Sequence, residues 1–437
     1  MAAMALLVRD LVFFLGVALV VILVMRWLAL PYTLGLVVVG LAIGLTGITP
    51  EARLSPELVL FVFLPALLFE GAWTSRFSLL RDNRRMIFFL AGPGLLLSLG
   101  IIALMLHWFE HLDWITALLL AAILSPTDPV AVLALFRQIH VNETLSSVIK
   151  GESLFNDGVA GSLYQTFLAL VLVSTRAAAA RGWTVLTNGF GLFLLEAGGG
   201  IALGLLSGWL ISRALKRVDD PVLETAITLV SAYGVYWLAD TMQFSGIMAV
   251  IVAGLMLGNY GRRIGMSEQT RSDVDTFWRM LAFLANALIF LLIGVQLHPF
   301  AYLLFTGSGL TIWIITLTAI GVVLLSRLVL VLAMRLWLKL PGSRGRPAGQ
   351  PLPRSWQLII FWSGLRGALS LALVLALPVS VPARDIMVIS TYAVVLFTLL
   401  VQGFSIRWVL GRIMSREGSG SDDRETVLEE EVPQEAL

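Results

Sequence analysis

Gly151-Glu152-Ser153-Leu154-Phe155-Asn156-Asp157 is a polar run inside a very apolar chain, and a second polar run, Ser125-Pro126-Thr127-Asp128-Pro129, stands just before it. Hydrophobic stretches flank both. A carboxylate at the centre of a membrane helix costs about 2.5–3.5 kcal/mol on insertion scales. Two such clusters in one neighbourhood point to a place where ions or protons are handled.

Composition identifies the solvent. Of 437 residues, 58% are hydrophobic and 13% charged, where soluble domains carry about 25% charged residues. Apolar runs of about 20 residues recur along the chain, which predicts an all-α polytopic membrane protein. We read thirteen transmembrane helices, at 6–28, 31–48, 55–73, 86–108, 114–136, 143–174, 188–212, 221–239, 244–259, 276–297, 309–338, 356–378 and 385–411. Arg9-Asp10 in the first run argues for a retained span rather than a cleaved leader. Loops on one side hold 21 Lys and Arg residues, against 5 on the other. That asymmetry predicts a cytoplasmic C-terminus and, with thirteen spans, an external N-terminus. Residues 413–437 are polar and acidic and are expected to be a disordered tail. The net charge of +2 gives no reason to expect a nucleic-acid partner. No cysteine is present, so thiol chemistry is excluded. His107 and His111 stand four apart, but the spacing here reads as a wet interfacial loop beside Glu110 and Asp113.

The fifth and twelfth spans are interrupted. In the fifth, Pro126 and Pro129 remove backbone donors and disfavour helix before them. In the twelfth, Ser363-Gly364-Leu365-Arg366-Gly367 weakens the helix with two glycines. Both breaks carry a charge. Seven spans apart, the two run in opposite directions, as two inverted six-helix repeats around a linker would place them. Interrupted helices in corresponding positions of two halves mark a transporter's binding site. Asp128 is suited to half-helix N-termini, and Arg366 to C-terminal carbonyls.

At helical spacing Ser153, Asn156 and Asp157 share one face, so Asp157 is poised to meet the break at Thr127. Carboxylate, hydroxyl, amide and carbonyl oxygens suit a hard cation, Na⁺ or Li⁺, and do not suit a catalytic Zn²⁺. One carboxylate that holds either a proton or a cation is enough for exchange. Glu152 and Arg327 are natural partners, because an unpaired buried charge is far costlier. Glu70 either reaches the same cavity or is an interfacial carboxylate. Glu196 and Asn286 read as helix-packing hydrogen bonds.

These stretches resemble the sodium/proton antiporters of the monovalent cation:proton antiporter-1 family, in its prokaryotic NhaP-like branch. The resemblance is carried by 64–70, 125–132, 140–143, 151–157, 245–250, 290–296, Ser326-Arg327 and 364–368, and covers essentially all of 1–412. It implies a homodimer in membrane lipid, with spans 1–3 and 7–10 as the dimerisation part and spans 4–6 and 11–13 as a mobile ion-translocating core. It also implies that Asp157 binds Na⁺ or the proton with Thr127, Ser153 and Glu70 as co-ligands, that Asn156 and Asp128 organise the site, and that Glu152–Arg327 is structural. An Asn-Asp pair at 156–157, rather than two aspartates, matches the electroneutral pattern. The expected activity is secondary active Na⁺(Li⁺)/H⁺ antiport in the prokaryotic plasma membrane, with no cofactor and no enzymatic step. A K⁺/H⁺ antiporter with the same site is the alternative. A passive channel would show carbonyl filters or charge rings, and an intramembrane aspartyl protease would need two aspartates sharing a proton.

Overall fold

In an apolar solvent the backbone must satisfy its own hydrogen bonds, and helices do so within each segment. The computed structural model describes residues 2–28, 30–46, 57–138, 141–174, 182–296, 310–338 and 353–412, and no strand occurs among them. The acidic tail expected at 413–437 lies outside the described residues.

The chain begins with α1 (Ala2–Trp27), α2 (Tyr32–Leu45), and a π-helical stretch, Leu58–Phe63, running into α3 (Leu64–Trp73). There follow α4 (Phe77–Asp82), α5 (Arg84–Ala91), α6 (Pro93–Phe109), α7 (Trp114–Leu124), α8 (Val130–Gln138) and α9 (Glu143–Ser174). Next come α10 (Gly182–Leu215), α11 (Pro221–Thr241), α12 (Gly246–Met256), a second π-helical stretch (Leu257–Gly261), α13 (Arg262–Gly265) and α14 (Glu268–Gln296). The last elements are α15 (Leu310–Trp337), α16 (Arg354–Trp362), α17 (Ala368–Leu375) and α18 (Arg384–Phe397), which passes through a third π-helical stretch, Thr398–Gln402.

Among the described residues eight helical stretches are long and apolar enough to cross a membrane, and 32–45, 58–73 and 114–124 are shorter apolar helices. The 32-residue α9, which carries the polar run, is not one of the eight. Helix starts follow local chemistry. Asp220 caps α11 by accepting from the Val222 and Leu223 amides, and Pro221 fills the first position. Ser245 caps α12 through the Met248 amide.

Lipid offers no hydrophobic drive between helices, so close packing has to come from shape. Gly40 and Gly294 supply it where α2 meets α14. A methyl on Gly40 would overlap the Leu291 carbonyl, and one on Gly294 would overlap the Val37 carbonyl. Around the polar core, α3, α6, α7, α9, α11 and α12 bury a continuous apolar cluster that includes Phe69, Trp73, Leu120 and Ile251. By contrast α1 and α10 turn apolar residues outward, including Val12, Leu23, Phe190 and Leu206.

Both expected breaks are present. Residues 125–129 are not helical and separate α7 from α8; 364–367 are not helical and separate α16 from α17. The two breaks touch, with the Asp128 amide donating to the Leu365 carbonyl at 2.8 Å. Gly367 makes the approach possible, because a methyl there would overlap the Asp128 carboxylate.

Beside the crossing lies a buried clamp. Arg327 on α15 forms a two-pronged ion pair with Glu152 on α9, through Nη1 to Oε1 and through Nη2 to Oε2, the second at 3.1 Å. Its Nε and Nη2 also donate to the Ile360 carbonyl, at 3.1 and 2.8 Å. One guanidinium therefore joins α9, α15 and the end of α16. Both partners are buried, so removing one strands the other. Glu152→Gln or Arg327→Met should each cost about 3–5 kcal/mol of stability, and a double replacement by apolar residues should recover much of it. Thermal unfolding in detergent checks this: a single variant with wild-type stability would show that the pair contributes nothing to the fold.

Gly294→Leu should fail differently, by prising α2 from α14 without touching a charge. Loss of the folded peak on size exclusion is the expected result; normal yield and melting would mean that the helices do not need that contact.

Candidate cation site at the helix crossing

The break in α7–α8 exposes backbone carbonyls that no helix satisfies. Arg366, in the opposing break and 2% exposed, donates from Nη1 to the carbonyls of Ser125 and Pro126 at 2.7 and 3.0 Å. The cation thus lies where the end of α7 presents its negative pole. Across the crossing, the Asp128 carboxylate accepts from the Val130 amide at 3.1 Å, at the start of α8. The break around Arg366 is itself held by Thr398, whose hydroxyl accepts from the Arg366 amide at 3.1 Å.

Helix α9 presents its polar face to the first break. Ser153 donates from Oγ to the Thr127 carbonyl at 2.7 Å. The Asn156 amide nitrogen donates to the Ser125 carbonyl at 3.1 Å and to the Thr127 hydroxyl at 3.3 Å. With its nitrogen so engaged, the Asn156 Oδ1 is left buried and without a partner, which costs about 1–3 kcal/mol for a neutral acceptor. Asp157 follows on the same face. Its carboxylate is half-buried and has no hydrogen-bond partner among the described residues.

Asp157, Thr127, Ser153 and Glu70 all line one cavity of about 360 Å³, which also receives Asp128 and Asn286. Its anionic and neutral donors are oxygens, the carboxylates of Glu70, Asp128 and Asp157 and the hydroxyls of Thr127 and Ser153, while Lys150 and Arg279 also stand on its wall. That set matches a weakly held hard monovalent cation. Among the described residues no group of three or more His, Cys, Asp or Glu side chains stands ready for a metal ion. His107, in the last turn of α6 beside that loop, contacts the Leu112 carbonyl through Nδ1 at 2.6 Å and stacks on Trp114.

Some placements were not legible beforehand. Asn286, read as a packing residue, lines the cavity instead. Lys150 lines it too, and nothing in the local pattern distinguishes it from a charge at a helix end. Glu196 keeps its expected helix–helix hydrogen bond, accepting from the Thr166 hydroxyl at 3.1 Å. Glu70 is held on its own helix, where the Thr74 hydroxyl donates to its carbonyl at 2.7 Å and lies 3.5 Å from its carboxylate.

Comparison with known proteins covers nearly the whole chain. The family described as "Sodium/hydrogen exchanger, transmembrane" matches residues 14–412. The Na⁺/H⁺ antiporter ApNhaP of Aphanothece halophytica is 38% identical over 390 residues, covering 88% of this chain and 70% of that protein. The Na⁺/H⁺ antiporter NhaH of Halobacillus aidingensis is 33% identical over 91% of this chain and 96% of its own length. Among solved structures, the sodium proton antiporter MjNhaP1 from Methanocaldococcus jannaschii superposes with a TM-score of 0.73 at 21% identity, covering 95% of this chain and 99% of that one, which shows a shared fold. This chain belongs to the transmembrane sodium/hydrogen exchanger family, a family of multi-pass membrane transporters.

Proposed function

We propose that this protein is a secondary active Na⁺(Li⁺)/H⁺ antiporter that works by alternating access, with Asp157 binding either the cation or the proton. The observation that carries the reading is the Asp157 carboxylate itself. It has no hydrogen-bond partner among the described residues and opens onto a cavity shared with Thr127, Ser153 and Glu70. The names of the relatives favour Na⁺ as the cation: ApNhaP, NhaH and the NhaP of Pseudomonas aeruginosa are each called Na⁺/H⁺ antiporters. Thr127, Ser153 and Glu70 serve as co-ligands in this reading. Asn156 and Asp128 hold the break in shape, and Glu152–Arg327 is structural. Na⁺ and H⁺ are transported substrates, and the reading requires no resident cofactor.

The wider assembly follows the same reading. Thirteen crossings in two inverted repeats put the two breaks at mid-membrane. Spans 4–6 and 11–13 form the moving core. Spans 1–3 and 7–10 form a homodimer, for which the outward apolar residues of α1 and α10 offer surface. The Lys and Arg asymmetry supports a cytoplasmic C-terminus, and the plasma membrane is the location that this reading assigns.

Asp157→Asn preserves shape and removes the exchangeable charge. It should abolish Na⁺-dependent dissipation of a pH gradient in proteoliposomes while the protein still elutes as a folded species. Exchange at the wild-type rate would refute the assignment. Glu70→Ala should raise the apparent KM for Na⁺ without unfolding the protein; an unchanged KM across the active pH range would leave Glu70 an interfacial carboxylate.

If Asp157 alone alternates between one H⁺ and one Na⁺, no net charge moves per cycle. Each moved elementary charge would feel about 2.3 kcal/mol per 100 mV, so exchange should ignore the membrane potential. Competition for one carboxylate also makes apparent Na⁺ affinity weaken as pH falls. Na⁺ uptake at fixed ΔpH, with the potential set by valinomycin at several K⁺ ratios, tests this. A rate that follows the potential would rule out one-for-one exchange.

A further inference from the structure

Lys150 stands on α9 three residues before Ser153 and seven before Asp157. It lies in the wall between two cavities. One is the cavity of about 360 Å³ that holds Asp157. The other, about 680 Å³, is lined by polar groups that include Thr74, Ser75, Asn142 and Ser146. Only Leu133 and Lys150 line both. At the mouth of the second cavity Arg76 and Glu143 face each other at 3.6 Å, both largely exposed, so that cavity is a wet vestibule.

The ammonium is anchored at this boundary. Lys150 Nζ donates to the Thr74 hydroxyl at 2.6 Å, and that hydroxyl donates to the Glu70 carbonyl at 2.7 Å. The link ties α9 to α3 and holds a positive charge beside the route from the vestibule to Asp157. The other residue shared by the two cavities, Leu133, is apolar, and the Glu70 carboxylate lies 3.5 Å from the same Thr74 hydroxyl, so the ammonium also screens that carboxylate from an entering cation. Arg279, also on the wall of the inner cavity, is exposed and turns its Nε back to the Asp275 carbonyl of its own helix.

Several carboxylates facing one confined cavity hold a cation tightly, and a carrier that holds its substrate too tightly releases it slowly. A fixed like charge nearby corrects this. We propose that Lys150 is an electrostatic gate on the vestibule side, setting the affinity with which a monovalent cation is taken up and released at Asp157. The inference rests on the reading of Asp157 as the cation site. Seven residues of helix place the two about 10 Å apart along the axis. At an effective dielectric of about 20, a unit charge at that distance weakens cation binding roughly tenfold.

The absence of cysteine permits a direct test on the full protein. Lys150→Cys is reconstituted in proteoliposomes and treated from the vestibule side with one of three methanethiosulfonates, leaving a neutral methyl, a positive aminoethyl or a negative sulfonatoethyl adduct. The neutral adduct should show an apparent KM for Na⁺ about tenfold below that of the unsubstituted protein. The aminoethyl adduct should restore the original KM, and the sulfonatoethyl adduct should lower it further. One KM shared by all three adducts would overturn the gate. Should Lys150→Cys not survive purification, Lys150→Gln and Lys150→Arg make the same comparison: a lowered KM for Gln with a preserved KM for Arg is expected, and a Gln variant with unchanged or raised KM overturns the proposal. The unsubstituted protein separates the two readings. If it exchanges no Na⁺, the antiport reading falls and the gate with it; if it exchanges Na⁺ while the adducts agree, only the gate falls.

Discussion

A helix broken inside a membrane leaves carbonyls and amides with nowhere to go, and the polar centre of this protein is arranged around that constraint. Two breaks are brought together so that each answers the other. The guanidinium of Arg366 takes the carbonyls at the end of α7, and the Asp128 amide donates to the Leu365 carbonyl. The Asp128 carboxylate accepts the amide that opens α8. Because unsatisfied groups in hydrocarbon cost several kcal/mol each, neither break is tolerable alone. Together they form a polar island in which most of the freed backbone groups find protein partners.

The neighbouring helices take their positions from this island. Helix α9 stays unbroken through its polar run because its side chains, rather than its backbone, satisfy the break beside it. An adjacent flank carries Glu152 to Arg327, which also binds the Ile360 carbonyl just before the second break. The same helix therefore touches the first break directly and the second through a neighbour. Gly364 lets this happen, since a side chain there would press on Arg327. The cavity lies on the one side of this frame where a carboxylate is left without a partner.

Much of this was legible in the sequence, for identifiable reasons. Pro126, Pro129, Gly364 and Gly367 are local signals, and a breaker beside a charge has few meanings inside an apolar run. Glu152 and Arg327 could be matched because each was intolerable alone. The face shared by Ser153, Asn156 and Asp157 follows from helical period. What stayed hidden depends on contacts far apart in the chain. Gly40 against Gly294, Thr398 under Arg366, and Lys150 reaching Thr74 leave no periodic trace, since each depends on which helices become neighbours. The three π-helical stretches were likewise invisible: a single extra residue in a turn does not disturb an apolar pattern long enough to read.

The unpartnered Asp157 carboxylate bears on fidelity as well as on affinity. A carrier of this kind wastes its gradient if it reorients empty. In the exchange proposed above, the carboxylate is neutral with either substrate aboard; bare, it would be carried through a low-dielectric passage as a naked anion. The effective desolvation penalty for such an ion is several kcal/mol, and each 1.36 kcal/mol slows a step tenfold. A neighbouring donor would have stabilised the bare anion and lowered that barrier. In the proposed exchange, leaving Asp157 without one suppresses slip, and the half-buried charge itself acts as the interlock between the two fluxes.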